Sequence, residues 1–336
     1  MMPNKVIAGN VEDIAPCTAC MHCLASLYLG TGVVCRINAA AGEDTQVVYK
    51  QADKKKKVLI VGGGPASLEA ARIAAIRGHQ VTLYEKGKKL GGSMQMAAFI
   101  KGSEIEDLTQ IINYFKIQLR KLGVKVILGK EINKSLINIE KPDALIIGEG
   151  GIENMIDIPG IYTKKVINLD NQKKVFKFFL YFFNPTTLHK LSKIWLPLQK
   201  NLIIIGGETQ ACQLAEFLIK RGRNVTIVES SKQIGNEMVF FKMVKLLPWL
   251  QKKCNKIITE AKIKEVNNHG LVIEVNGKKQ TIEADKIIMA LPLKTNTKLI
   301  DTLKEKISEV YAVGDCKEPR FIIDAISDGN RIARIL

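Results

Sequence analysis

The chain has 336 residues, 46% apolar and 25% charged, with a formal net charge of +17. That length makes room for two domains that each bury a core, and the composition excludes a disordered chain. No stretch approaches the ~18–20 uninterrupted apolar residues of a membrane-spanning helix, and the opening MMPNKVIAGNVEDIAP lacks the basic-then-apolar layout of a secretory leader. The lysines are scattered, and their densest run, Lys54–Lys57, only leads into an apolar strand. With no helix-turn-helix signal and no zinc-finger spacing, nucleic acid is not the expected partner; an acidic protein or a phosphate-bearing ligand suits the charge better.

Residues 1–50 carry Cys17, Cys20, Cys23 and Cys35 and little periodic structure. Steps of two residues gather three thiolates on one tight turn, and a distant fourth completes a four-thiolate set. That favours an iron–sulfur cluster over zinc, whose structural sites use two paired knuckles. Such crowding points to a reducing, cytoplasmic compartment rather than to disulfides. His22 reads as a neighbour of the set rather than a ligand. Cys212, Cys254 and Cys316 are widely separated and read as small core residues.

The next elements form a repeat. KKVLIVGGGPASLEAARIAAIRGHQVTLYEK (56–86) and KNLIIIGGETQACQLAEFLIKRGRNVTIVES (200–230) align without a gap. Each reads strand, glycine turn, helix, Arg-Gly stop and a second strand ending in Glu, so two doubly wound parallel sheets follow. In the first turn Gly62 takes the tight-turn place and Gly64 the place of close approach to a pyrophosphate. Ser67 holds the packing place, slightly larger than the usual Gly or Ala. Glu85 ends the second strand, where a carboxylate accepts from ribose hydroxyls. The second turn keeps Gly206, Ala211 and Glu229 but places Glu208 where the pyrophosphate would approach. A carboxylate there crowds and repels phosphate unless it swings away. Two readings stay open: a working NADH site, or an inherited and weakened scaffold. No pair of cysteines two residues apart lies in this second domain, which argues against a dithiol relay.

Between the repeats, Ala144–Ile147 reads as an apolar strand. Residues 176–195 hold seven of the chain's 20 aromatic residues, with Asn184-Pro185-Thr186-Thr187 as a turn between two short helices. That hairpin either packs on its own domains or docks a partner. At the end, Val310–Asp315 is a strand running into Gly314-Asp315, followed by a helix over 321–335. A flavin site needs that corner, because Asp315 can bond ribityl hydroxyls while the helix N-terminus faces the phosphate. The fold class is therefore α/β: two doubly wound, Rossmann-like dinucleotide-binding domains, for FAD and NAD(P)H, with an N-terminal cysteine-rich segment. The expected division is a cluster segment at 1–50, the first part of the FAD domain at 51–165, an aromatic helical connector at 166–200, the NAD(P)H domain at 201–290, and the FAD domain's return at 291–336.

With these motifs in hand, nearly the whole chain resembles the C-terminal half of the old-yellow-enzyme-related NADH:flavin oxidoreductases, the family of 2,4-dienoyl-CoA reductase, 2-enoate reductase and bile-acid-type reductases. The resemblance lies in NVEDIAPCTAC, CRINAAAGED, the first repeat, Leu90-Gly91-Gly92, AEFLIKRGRNVTIVE and VYAVGDCKEPR. It implies that Cys17, Cys20, Cys23 and Cys35 ligate a 4Fe-4S cluster. FAD would be held by Gly62, Gly64, Pro65, Ala66, Glu85, Lys86, Gly92, Gly150, Gly314 and Asp315, and NADH by Gly206 and Glu229. It also implies an N-terminal barrel carrying FMN and the substrate. A barrel needs roughly 250 residues of its own, so this one is expected on a partner chain or domain. Electrons would pass from NADH to FAD, then to the cluster and the FMN barrel, with no acid or base of this chain needed. The alternative is a non-catalytic FAD and iron–sulfur electron-transfer or assembly subunit with a weakened NADH site. Departures from the family pattern are the two-residue step between Cys20 and Cys23, Gly148-Glu149-Gly150 in place of Ala-Thr-Gly, Glu208, and Pro292 in place of a glycine.

Overall fold

The computed structural model describes residues 2–43, 49–103, 106–167, 176, 178–180, 182–303, 307 and 309–336. Its contacts divide the chain into two units. One is Met1–Ala98 with Ser103–Ile152 and Leu293–Leu336; the other is Phe99–Gly102 with Glu153–Pro292.

In the first unit, β1 (Lys57–Val61), β2 (Gln80–Glu85), β3 (Lys125–Leu128), β4 (Ala144–Ile147) and β13 (Glu309–Ala312) form one sheet. Its order is β13-β4-β1-β2-β3 and every pairing is parallel. Val58–Ile60 and all of β4 are fully buried, as strands covered on both faces must be, and this explains their unbroken apolar runs. Helix α3 (Pro65–Ile76) starts with proline at its first position, where the missing N–H costs nothing. Its Ala66, Ala70, Ala71 and Ala74 are buried, and these small side chains let a second helix come close. That helix is α11 (Ile322–Ile335). At its Gly329 a Cβ would lie 2.9 Å from the carbonyl carbon of Ala66. Beside this contact, buried Glu69 accepts from Arg72 at 2.7 and 2.8 Å and from Asn330 Nδ2 at 2.7 Å. Together they lock α3 against α11.

The cysteine-rich segment belongs to this unit. It contains α1 (Met2–Ile7) and α2 (His22–Tyr28), and charge ties it down. Arg36 and Glu106 form a buried ion pair at 2.5 Å. Asp13 accepts from Gln118 at 2.8 Å and from Lys121 at 2.9 Å, both on α5 (Leu108–Lys121). The unit also contains the first residues of α4 (Met94–Lys101, of which Phe99–Lys101 belong to the second unit), α6 (Lys134–Glu140) and α10 (Lys298–Leu303).

The second unit repeats the plan. β5 (Val166–Ile167), β6 (Asn201–Ile205), β7 (Asn224–Val228), β8 (Lys256–Ile258) and β12 (Lys286–Met289) form a parallel sheet of order β5-β12-β6-β7-β8. Strands β9 (Lys262–Val266), β10 (Gly270–Val275) and β11 (Lys278–Glu283) form an antiparallel layer. Helices α7 (Pro185–Leu191), α8 (Thr209–Ile219) and α9 (Phe240–Lys253) complete it. The expected turn at Asn184–Thr187 is the N-terminus of α7, where Asn184 Oδ1 accepts from Thr187 N at 2.7 Å. Residues 168–175, Lys177 and Tyr181 of the expected connector lie outside the described residues. Among the described residues, no helix is long and apolar enough to cross a membrane.

Candidate functional site

In both parallel sheets the strand order reverses at the first strand of the repeat, β1 and β6. Ligands of open α/β sheets bind at such switch points, outside the carboxyl ends of the strands. Both glycine turns lie there. Gly62 N donates to Tyr84 O at 2.8 Å, and Gly148 N, from the strand on the other side, donates to Val61 O at 2.8 Å. In the second unit Gly206 N donates to Val228 O at 2.9 Å and Ala290 N to Ile205 O at 2.8 Å. Gly62 has φ +96° and Gly206 φ +115°, the left-handed region that glycine enters freely. A Cβ on either would strike the neighbouring strand's last carbonyl, that of Gly148 or of Ala290.

The acids that end β2 and β7 fold back on their turns. Glu85 Oε2 accepts from Gly63 N at 2.6 Å and its Oε1 from Gly87 N at 2.5 Å. Glu229 Oε1 accepts from Ser231 N at 2.7 Å and from Ser230 Oγ at 3.1 Å. Glu85 is thereby bonded to its turn and Glu229 to the loop after β7; each Oε2 lies 2.9 Å from where a Cβ on Gly63 or Gly207 would go, with lone pairs left to accept from further donors.

The close-approach residues tell the two sites apart. Gly64, the residue before α3, has φ −78° and ψ 173°, and Glu208, before α8, has φ −75° and ψ −179°. The backbones match; only the side chain differs. Open space lies where Gly64 would carry a Cβ, with nothing within 4 Å. Glu208 instead spans to the neighbouring loop, where its Oε2 accepts from Glu237 N at 3.1 Å.

Of the remaining first-unit positions, Gly92 and Gly314 lie against the same turn. A Cβ on Gly92 would come 3.2 Å from Gly64 Cα, and one on Gly314 would come 2.9 Å from Ala66 Cβ. Gly150 has φ +83° and open space around it. Asp315 is half-buried, and burial pushes its carboxyl up against the lowering pull of Arg320. Lys86 is exposed, 3.9 Å from Glu131. Burial also raises the Glu149 carboxyl, which Lys86 partly offsets. The departure at Ser67 has a partner that sequence spacing did not reveal. The buried Ser67 Oγ, which donates to Val61 O at 3.4 Å, fills the space where a Cβ on Gly148 would go. Serine at the packing place and glycine, not alanine, at 148 are one exchange. Gly148→Ala is therefore expected to cost about 1–3 kcal/mol by overpacking, and Ser67→Ala in the same chain to recover most of it. Urea midpoints of the two single variants and the double variant test this.

The four clustered cysteines are free thiols: Cys17 and Cys23 exposed, Cys20 buried, Cys35 between. Ala19 and Met21 have φ +50° and +66°, so the loop alternates through left-handed positions between Cys17 and Cys23. Burial alone would raise the Cys20 thiol, but hydrogen bonds from His22 and the charge of Arg36 bring it down to about 6. His22 Nδ1 is buried with no partner, and its ring meets Phe321, just before α11, at 6.2 Å between centroids. Four thiols, one of them favoured as thiolate, beside an orphaned polar atom fit a thiolate-held cluster in chemistry. Among the described residues, however, no three His, Cys, Asp or Glu side chains are close enough to grip one metal ion. In metal-free protein, thiolate absorbance is expected to show a step centred near pH 6, with thiol below and thiolate above, that Cys20→Ser removes. Of the other three thiols, Cys212 and Cys316 are buried and Cys254 partly so; burial raises Cys212 to about 12 and Cys254 to about 11, and raises Cys316 as well.

A doubly wound pair of nucleotide-binding sheets, each with a glycine turn and a terminal acid, defines a two-dinucleotide oxidoreductase. The sequence profile of the pyridine nucleotide-disulphide oxidoreductases matches residues 56–329, and the chain belongs to that family. Membership implies FAD and a nicotinamide dinucleotide. The chain is 28% identical to a cinnamate reductase of Clostridium sporogenes over 99% of its own length and 47% of the relative's. It is 29% identical to an NADH oxidase of Thermoanaerobacter brockii over 98% and 49%. Among solved structures, a 2-naphthoyl-CoA reductase in complex with 2-naphthoyl-CoA matches with a TM-score of 0.85 and 32% identity, over all of this chain and 48% of that one. The chain is an oxidoreductase by family, and it spans about half the length of the curated relatives it matches.

Proposed function

We propose that the chain is the electron-input module of an NADH-dependent, ene-reductase-type oxidoreductase, handing electrons from NADH through FAD and a 4Fe-4S cluster to an FMN barrel on a partner chain or domain. The observation that carries this reading is the matched pair of switch-point turns, alike in backbone and each closed by its own acid. The partner barrel is supported by the half-length match to the relatives.

When bound, FAD supplies two-electron acceptance with one-electron release, and the cluster single-electron transfer. The chain's own work is positional. Gly62 and Gly64 leave room for a diphosphate, which the N-terminus of α3, begun by Pro65 and Ala66, then faces. Gly92 and Gly314 keep side chains off that turn. Glu85 accepts from ribose hydroxyls, Asp315 bonds the ribityl chain, and Lys86 and Gly150 line the rim. Gly206 and Glu229 do the same for NADH, and Glu229 disfavours a 2′-phosphate. Cys17, Cys20, Cys23 and Cys35 would hold the cluster.

An anaerobic titration of FAD-loaded, iron-reconstituted protein tests the proposal. Flavin absorbance is expected to bleach with NADH and not with NADPH. Glu208 favours the second reading, a carrier that takes electrons from another protein, and bleaching with dithionite alone would replace the first reading by it.

A further inference from the structure

Two helical segments of the second unit present an apolar and basic face to solvent. Phe178, Phe179 and Phe182 are helical and exposed; the Phe178 ring meets the other two at 5.8 and 5.5 Å between centroids. The opposite side of this segment is anchored, with Leu180 buried and the Phe176 ring 5.1 Å from that of Phe99. After the Asn184 cap, α7 buries Leu188 and His189, with His189 Nδ1 2.7 Å from Phe99 O. The chain continues through Leu191, Ile194 and Trp195, which are 44%, 87% and 69% exposed. The amides of Ile194 and Trp195 both donate to Leu191 O, so the three share the i, i+3, i+4 face of one turn. Both segments are thus anchored at Phe99, and each exposes apolar side chains away from its anchor.

Charge gives the face its partner. From Asn171 through Gly207 the sequence has no Asp, Glu or Arg, but six Lys and seven aromatic residues. Lys190 and Lys193 are exposed beside Leu191 and Ile194. Protein interfaces enrich arginine and deplete lysine. Arg221 and Arg223 bond this segment from its inner side, at Ser192 and Leu196, so the exposed charges along it are lysines. Exposed Phe, Trp and Ile flanked by lysine are the composition that settles at the headgroup boundary of a negatively charged bilayer, where lysine stems lie along apolar surface and their ammonium groups reach phosphate. We propose that this face docks the protein on an anionic lipid surface. Phe178, Phe182, Ile194 and Trp195 enter the boundary region, and Lys190 and Lys193 pair with lipid phosphates. Binding is interfacial, and it is independent of the assignment of NADH.

The test uses the full chain carrying Trp249→Phe, which leaves Trp195 as the only tryptophan. Vesicles of phosphatidylcholine and phosphatidylglycerol in equal amounts are expected to carry the protein upward in flotation and to shift Trp195 emission to the blue. Pure phosphatidylcholine is expected to do neither, and added salt to release the protein. Lys190→Ala with Lys193→Ala is expected to weaken partitioning roughly thirtyfold. Phe178→Asp with Phe182→Asp is expected to abolish it while circular dichroism stays unchanged. Should that second pair disturb the fold, the lysine pair decides. Equal binding to both vesicle types, or lysine variants that float as well as the parent, overturns the proposal. No vesicle effect on Trp195 overturns it too.

Discussion

Gly62→Ala is expected to yield a colourless and destabilised protein. The backbone at 62 sits at φ +96°, and a Cβ there would lie 2.8 Å from Gly148 C and nearer still to its oxygen. A left-handed L-residue costs roughly 1–2 kcal/mol, and the forced separation of the β1 and β4 ends roughly 1–3 kcal/mol more. The total, about 2–5 kcal/mol, should appear as a lower urea midpoint, and the displaced turn should hold no FAD after gel filtration. Gly64→Ala separates the two effects. Its φ is ordinary and nothing lies within 4 Å of the added carbon, so stability should change by less than about 1 kcal/mol. FAD affinity should still fall, because the methyl occupies the space through which a diphosphate approaches. A Gly62→Ala protein that kept its full flavin content would remove the first turn from the site.

The same residues mark how far the sequence could be read. A positive φ under a close carbonyl leaves glycine as the only comfortable choice, so Gly62 and Gly206 were visible as letters, and the two sheets followed from the repeat they open. β4 was visible because a strand buried on both faces is continuously apolar, and the Gly314-Asp315 corner because the short apolar run Val310–Val313 ends in it. Contacts set by packing between distant segments were not visible. Nothing in the spacing pairs Ser67 with Gly148, seats Gly329 on Ala66, or joins Arg36 to Glu106. Nor did it assign Phe99–Gly102 to the second unit, or add β5 as an edge of the second sheet. The cysteines divide the same way. Their spacing announces a thiolate set, but the left-handed residues between them and the unpaired His22 nitrogen are properties of the folded loop.

Glu208→Gly is expected to tighten NADH binding about thirtyfold. A unit charge pair about 5 Å apart is worth ~3 kcal/mol at the effective dielectric of a protein surface. Glu208 is only partly buried and its carboxylate is already drawn to the Glu237 amide, so solvent and that bond screen part of the repulsion. About 2 kcal/mol should remain, which is roughly thirtyfold in Kd. Glu208→Gln keeps the volume and removes the charge. If repulsion dominates, it should recover most of the gain; if bulk dominates, it should recover little. Calorimetric titration of NADH into the three proteins measures this directly, and Gly206→Ala in the Glu208→Gly background should cancel the gain, since a Cβ there would strike Ala290 O. Equal affinities for parent and Glu208→Gly would mean that the bond to Glu237 already holds the carboxylate clear of the phosphate path. The second turn would then work with a glutamate where the first has a glycine.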